Sequence, residues 1–372
     1  MKIGNNLAMN LLFDLTITQP QPKAKFHGAG LYGELVFFAL LKRTKNFTGI
    51  YDSRLYINPK ILESGIKLCD ISQTSLKEMV NSENIDVFYI PAQRFRYKSQ
   101  DVLLKRWIMT MHDLRHLEML QNSFPFIKNY LKKRISAFFY SAVYLENAEY
   151  ISVSEHSKHG LINFFPHLAE KNIPVFYSPL SDEQIELPQP KFEPKSYFLL
   201  TSASRWEKNN LRAVQAFDEL FSQRRDLNFK VILTSVKNEK IYTGKIKNRD
   251  RFILLGYVDR AELLSLHKNA YAFLYPSLNE GFGYPPIESM RYGIPVAASG
   301  TTSIPEICQN AAIYFDPYNI SEIKNRILQL LDKNIYDEYS ARAIERYKIV
   351  TERQKADLEK IVDFILGKNE CP

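Results

Sequence analysis

Cysteine is scarce: Cys69, Cys308 and Cys371 stand far apart in a chain of 372 residues. No CxxC pair occurs among them, which argues against a disulfide framework and against a thiolate zinc site. Glycine is also sparse, with 14 residues against 22 Tyr and 24 Phe, so collagen-like and low-complexity classes are excluded. No apolar run approaches the 18 or so unbroken residues that a membrane span needs. The opening MKIGNNLAMNLLFDLTIT has one Lys, a short apolar run and an early Asp14, and reads as a buried strand rather than a signal peptide. The expected location is the cytoplasm. What is abundant fits a globular protein of two domains: 45% hydrophobic residues, 24% charged and a length beyond one ordinary domain. The net charge of +8 favours anionic partners without choosing among phosphates, acidic lipid and nucleic acid.

Short apolar runs alternate with amphipathic stretches along nearly the whole chain. The spacing predicts strands at Asn10–Ile17, Ile85–Ile90, Trp107–Met111, Tyr150–Val153 and Val175–Tyr177. Helices are predicted at Leu31–Lys42 and Phe126–Leu145. Adjacent apolar residues within the strands suit sheets covered on both faces, and the alternation implies parallel α/β architecture. Pro179–Pro194, PLSDEQIELPQPKFEP, is polar, carries four Pro and has no periodic pattern, so it reads as an interdomain linker. The alternation then restarts, with strands predicted at Tyr197–Thr201, Phe229–Leu233, Phe252–Leu255, Ala272–Tyr275, Val296–Ala298 and Ala312–Tyr314. Helices are predicted at Asn209–Gln223, Ala261–Lys268, Ile287–Tyr292 and Ser321–Leu331, before a long one over Tyr336–Leu366. Parallel sheets bind ligands at the carboxyl ends of their strands. Two such sheets facing each other would leave a cleft between domains.

The most informative segment is Tyr275–Glu306, YPSLNEGFGYPPIESMRYGIPVAASGTTSIPE. It starts at a strand end and runs through Glu280, Gly281 and Gly283 into a helix carrying Glu288. Glycine lets backbone N–H groups approach a ligand, and Pro286 suits the first turn of a helix. The helix N-terminus then favours phosphate or polarised oxygen. Each Glu can accept two hydroxyl hydrogen bonds, which suits a sugar or a ribose. The bland alternative is a strand–turn–helix corner with two solvated acids.

E-G-F-G-Y-P-P-I-E, followed by G-I-P-V-A-A-S and I-P-E, closely resembles the family 4 retaining glycosyltransferases (glycosyl transferases group 1). The resemblance implies an α/β chain of GT-B fold: two facing Rossmann-like domains with a C-terminal helix crossing back to the first. Expected boundaries are 1–180 for an acceptor-binding domain, 195–345 for a nucleotide-sugar-binding domain and 346–372 for the crossing helix. Glu280 and Glu288, with seven residues between them, match the family's pair of Glu. By resemblance Glu280 contacts the donor sugar and Glu288 the ribose, while Phe282, Gly283 and Tyr284 offer backbone N–H groups. In SASRWEKNNL, Ser202–Leu211, Arg205 and Lys208 lead into a helix, as the family's Arg and Lys do to stabilise the leaving nucleoside diphosphate. The Arg–Lys separation is shorter here than in many members.

The first half supplies further matches. HGAGLYG, His27–Gly33, resembles the family's Gly-rich loop, which places Gly30 near the donor phosphates and acceptor. His112 and Asp113 match the family's HD position at a strand end, where the His touches the transferred sugar. SVSEHSK, Ser152–Lys158, matches V-S-x-x-S-K and makes Ser154 and Lys158 candidate cleft residues. His112 and His116 lack the Glu of HExxH, so a zinc protease is rejected. Lys128, Lys132, Lys133 and Arg134 beside Phe138, Phe139 and Tyr140 could lay a basic amphipathic helix on anionic lipid, or form an ordinary wet helix face. The expected activity is transfer of a sugar from a UDP-sugar or GDP-mannose to a saccharide or lipid-linked acceptor, in surface polysaccharide or glycolipid assembly. No metal or other cofactor is expected, because Arg205 and Lys208 take the place of a divalent ion. Rival readings are a sugar-nucleotide epimerase or phosphorylase of the same fold and a non-catalytic sugar-nucleotide binder. Nucleic-acid binding is not expected, because the basic residues are dispersed rather than gathered in a stripe with aromatics.

Overall fold

The computed structural model describes residues 10–20, 28–93, 104, 106–115, 117, 148–181, 185–244 and 246–368. The chain divides into two compact units, the first comprising 1–181 with 353–372 and the second 182–352. The basic aromatic segment Lys128–Tyr140 and His27 lie outside the described residues, as do the predicted helix Phe126–Leu145 and His116.

The first unit is a parallel six-stranded sheet of β1 (Leu11–Asp14), β2 (Phe47–Tyr51), β3 (Lys67–Asp70), β4 (Val87–Ile90), β5 (Arg106–Met111) and β6 (Ala148–Ser152). Its strand order is β3-β2-β1-β4-β5-β6. The second unit contains β7 (Tyr197–Leu200), β8 (Lys230–Leu233), β9 (Phe252–Leu254), β10 (Ala272–Tyr275), β11 (Val296–Ser299) and β12 (Ala312–Phe315). Its order, β9-β8-β7-β10-β11-β12, repeats the first. Both sheets are therefore doubly wound, with the order reversing between β1 and β4 and between β7 and β10. Ligand sites of such sheets lie at the carboxyl ends of the strands beside that reversal. The central strands are buried along their length, including LLFD, VFYI and AFLY.

β1 is shorter than the predicted Asn10–Ile17 because Asp14 turns the chain. Its Oδ1 accepts the Thr16 N–H at 2.9 Å and the Thr16 hydroxyl at 2.6 Å, and a 3-10 turn follows over Leu15–Ile17. β2 and β3 were not legible in the pattern. FTGIY carries a glycine, and KLCD has only two apolar residues. Gly49 is needed there: a Cβ would stand 2.6 Å from Leu15 Cδ1 and 2.9 Å from Leu68 Cδ2. Val175–Tyr177 forms no strand, and Val175 makes one isolated bridge to Ser152. The predicted linker is not free along its length. Lys191 pairs with Glu262 at 2.6 Å and Ser265 Oγ donates to the Pro188 carbonyl at 3.2 Å, so its second half packs on the second unit.

The last helix, Lys333–Ile365, is one continuous element of 33 residues that passes from the second unit into the first after Glu352. Its final turns are anchored on the first unit. Asp357 Oδ2 accepts the Tyr177 N–H at 2.9 Å, Gln354 Nε2 donates to the Ser178 carbonyl at 2.6 Å, and Arg43 reaches Glu359 and Asp363 at 3.0 and 2.8 Å. The Arg353 guanidinium lies 3.5 Å over the Tyr177 ring. Ile361, Val362 and Ile365 are buried with them. Asp357→Ala leaves the Tyr177 N–H without its acceptor, a loss of about 1–3 kcal/mol. Amide exchange in 353–365 should then accelerate roughly 5- to 100-fold. Amides of β7–β12 should keep wild-type rates, and unchanged exchange in 353–365 would show that the anchor lies elsewhere.

Candidate functional site

The site of the second unit forms where β7 and β10 end. The chain leaves β7 through a 3-10 turn, Trp206–Lys208, and enters the helix Asn210–Gln223 at Asn209. Asn209 has φ +56°, a left-handed conformation that Asn tolerates better than most residues. Its Nδ2 donates to the Pro276 and Pro317 carbonyls at 3.0 and 2.8 Å, tying the turn to the loop after β10 and to the chain after β12. Ser202, Ser235 and Thr302 also have positive φ, and all follow strand ends of this sheet. Strained backbone gathers along one edge, as it does at ligand sites.

These constraints bring Lys208 and Glu280 together. Lys208 Nζ donates to Glu280 Oε1 at 2.5 Å and to the Tyr275 hydroxyl at 3.0 Å. Ser277 Oγ adds a second bond to Glu280 Oε1, also 2.5 Å. The Lys208 and Glu280 side chains are only 5% and 12% exposed. Burial works against ionisation of Glu280, but the Lys208 ammonium and bonds from Lys208, Ser277 and Tyr275 outweigh it, holding the carboxyl below its ordinary value. Burial lowers Lys208 from its ordinary value, aided by Arg205 and opposed by Glu280. The ion pair is the form we assign, because the Glu280 carboxylate accepts from several donors at once. Arg205, half-exposed, bonds Glu207 through Nε at 2.7 Å. Two ion pairs, Arg205 with Glu207 and Lys208 with Glu280, thus stand at this strand edge.

Glu280 continues into the loop. Its N–H donates to Thr302 Oγ1 at 3.2 Å, while Ser303 Oγ lies 2.9 and 3.0 Å from the Glu280 and Phe282 carbonyl oxygens. Gly283 has φ +104° and precedes the helix Tyr284–Met290, with Pro285 and Pro286 in its first turn. A Cβ on Gly283 would meet nothing within 4 Å, so the glycine is required by its backbone and borders open space. The Phe282 and Tyr284 rings lie 5.4 Å apart. Glu288, further along the helix, is buried, with Oε1 paired to Arg260 and Oε2 3.7 Å from His267 Nε2.

In the first unit the candidates again lie at strand ends. The helix predicted from Leu31 starts at Gly28 and runs to Arg43, so Gly30 sits in its first turn rather than in a loop. Helical glycine is costly, but Gly33 lets this helix approach: a Cβ there would lie 3.0 Å from Thr18 Cγ2. Tyr32, Tyr89 and Thr110 form a buried triangle of hydroxyls at 2.9–3.2 Å, joining the helix to β4 and β5. Burial pushes the Tyr32 phenol up to about 12, so it stays protonated. The Tyr32 ring meets His112 edge-on at 4.7 Å. His112 Nε2 lies 2.8 Å from the Pro91 carbonyl, which can only accept, so Nε2 carries the proton. Asp113 pairs with Arg115 at 3.3 Å. Ser154 caps the helix Glu155–Phe164 by accepting the Ser157 N–H at 3.1 Å, and Lys158 is half-buried on that helix.

Residues 182–350 match the family described as glycosyl transferases group 1. This stretch is a glycosyl transferases group 1 domain. O-antigen chain mannosyltransferase B of Escherichia coli is 40% identical over 95 residues, 25% of each chain. O-antigen chain mannosyltransferase RfbU of Salmonella typhimurium is 27% identical over 250 residues, 64% of this chain and 66% of that one. This chain aligns with about a quarter of the length of the first curated relatives it matches. In fold it is similar to WaaG, a glycosyltransferase involved in lipopolysaccharide biosynthesis, with TM-score 0.69 and 14% identity over 96% of this chain and all of that one. A glycosyltransferase from Rickettsia africae gives TM-score 0.67 and 16% identity over 97% and 99%. The fold is GT-B.

The group 1 domain brings Arg205, Lys208 and Glu280 to one edge and holds Glu288 on the next helix. Ser277 and Tyr275, which clamp Glu280, were not singled out from the sequence, nor were Arg260 and His267 behind Glu288. The Ser three places before Glu280 and the Arg–His pair two helical turns apart were the available signals. Breaking a buried ion pair by removing one partner costs about 3–5 kcal/mol. Lys208→Ala and Glu280→Ala should each destabilise by that order, and the double variant by clearly less than their sum. Additive losses in denaturant melts would mean that the pair is uncoupled.

Proposed function

We propose that this chain is a retaining glycosyltransferase that moves mannose from a nucleoside diphosphate donor to a hydroxyl of a saccharide acceptor in surface polysaccharide assembly. The observation that carries the reading is the Glu280 carboxylate clamped by Lys208 and Ser277 beside Arg205, at the strand reversal of the group 1 domain. The mannosyl choice follows the O-antigen mannosyltransferases to which the chain is similar.

In this reading Arg205 and Lys208 receive the diphosphate. Fixed cations there stabilise the charge that grows as the anomeric C–O bond breaks. The backbone of Gly281, Phe282, Gly283 and Tyr284 lines the open space beside Gly283. Glu280 accepts hydroxyls of the donor sugar, and its negative charge favours the oxocarbenium character of the transition state. Glu288 accepts the ribose hydroxyls. The acceptor hydroxyl attacks the face that the diphosphate leaves, its oxygen bonds to the anomeric carbon, and its proton passes to the departing phosphate oxygen. The configuration is retained. The first unit takes the acceptor, with His112, Asp113 and Ser154 just past strand ends and Gly30 and Lys158 in the first turns of helices. The cations carry the leaving-group charge without a divalent ion.

Incubation with GDP-mannose and a mannose-terminated glycoside should give an α-linked product by NMR, at an undiminished rate in excess EDTA. A β-linked product would overturn retention, and loss of turnover restored by manganese would overturn the role given to the cations. Glu288→Ala removes a charge-assisted hydrogen bond of about 1.5–3 kcal/mol, so nucleoside diphosphate affinity should fall roughly 10- to 100-fold. Calorimetry showing wild-type affinity in this variant would remove Glu288 from the nucleotide site.

A further inference from the structure

Behind Glu288 stands a buried imidazole that the proposed transfer does not use. His267 lies on the helix Arg260–Asn269, two turns beyond Arg260, and is fully buried. The Phe273 ring packs against it at 5.0 Å. Its Nδ1 lies 2.6 Å from Ser289 Oγ, the residue next to Glu288 on the helix Tyr284–Met290.

The tautomer follows from the surroundings. With the Ser289 hydroxyl donating to Nδ1, the proton is on Nε2 and points toward Glu288 Oε2, 3.7 Å away. The opposite tautomer would aim a lone pair at a carboxylate. Burial lowers His267 to about 4, so the ring is neutral near pH 7. His267 Nε2 has no hydrogen-bond partner among the described residues. A buried donor left unsatisfied is costly, and here it stands just short of bonding distance from an acceptor that is held on its other oxygen by Arg260.

We propose that His267 is a positioning residue that sets the Glu288 carboxylate for a vicinal diol, so that the site selects ribonucleotides over deoxyribonucleotides. This rests on the reading of Glu288 as the ribose acceptor. Arg260 fixes Oε1, and the Nε2–H of His267 fixes the plane of the carboxylate from behind. A ribose diol that donates to Glu288 needs only a small shift of Oε2 to bring it within reach of Nε2–H. Binding of the diol and satisfaction of the buried donor then occur together. A ligand lacking one hydroxyl gains neither fully. The Ser289 bond keeps the ring in the tautomer this needs.

The test compares GDP with 2′-deoxy-GDP, and UDP with 2′-deoxy-UDP, by calorimetry. Wild type should favour the ribonucleotide by roughly tenfold or more, the worth of a hydrogen bond to a charged group. His267→Asn keeps a polar atom near Ser289 but is too short to reach Glu288, and should lose most of that ratio. His267→Gln places a donor near the Nε2 position and should keep the ratio within about twofold of wild type. A merely structural role would lower affinity for both nucleotides alike and leave the ratio unchanged. Should the Asn variant fail to melt cooperatively, His267→Phe enters the same comparison. A wild type that does not discriminate removes the ribose reading of Glu288 and this proposal with it. A discriminating wild type matched by equal discrimination in the Asn or Phe variant overturns the role of His267 alone.

Discussion

A lysine and a glutamate taken out of water together must be held by geometry, because the desolvation of each is offset only by good contact with the other. Lys208 and Glu280 meet that condition where the strand order of the second sheet reverses. Much of the surrounding structure follows from it. Asn209 accepts a left-handed backbone and ties three segments through its amide, so that Lys208 arrives beneath the loop after β10. Ser277 donates to Glu280 Oε1, and the Tyr275 hydroxyl accepts from Lys208. Ser303 and Thr302 hold the backbone that carries Glu280. Loosening any one of these would leave a buried charge without its full set of partners.

The two units solve similar problems with different chemistry. Both place candidate groups at the carboxyl edge of a sheet with the same strand order. The second holds its groups with charge and strained backbone. The first uses a triangle of buried hydroxyls on Tyr32, Tyr89 and Thr110, a carbonyl on His112 Nε2 and the edge of the Tyr32 ring, next to one ion pair, Asp113 with Arg115. The Nε2–H of His112 is thereby fixed as a donor, beside the glycine-bearing turn of the first long helix.

Glu288 illustrates a second kind of constraint. Its carboxylate is gripped by Arg260, and a neutral histidine stands behind it. The helix Arg260–Asn269 supplies both, so the setting of this acid depends on a segment distant from it in sequence. An acid so surrounded stays where a ligand can find it, at the cost of burying a polar ring.

By itself the sequence determined the alternation of strand and helix and the two-unit plan, and through motif resemblance it nominated Arg205, Lys208, Glu280 and Glu288, because each follows from local pattern or stands in a contiguous motif. β10 and its loop are legible for that reason: a run of apolar residues ends in E-G-F-G. The tertiary structure alone decided the rest. β2 and β3 needed neighbours to become strands, since FTGIY works only where Leu15 and Leu68 crowd Gly49. The helix at Gly28 needed the close packing of Gly33 on Thr18 to tolerate its glycines. Ser154, a candidate cleft residue by motif, caps a helix through its hydroxyl. The partners of the two acids, Lys208 across 72 positions and His267 across 21, are joined by packing rather than by spacing, and no periodicity along the chain encodes such contacts.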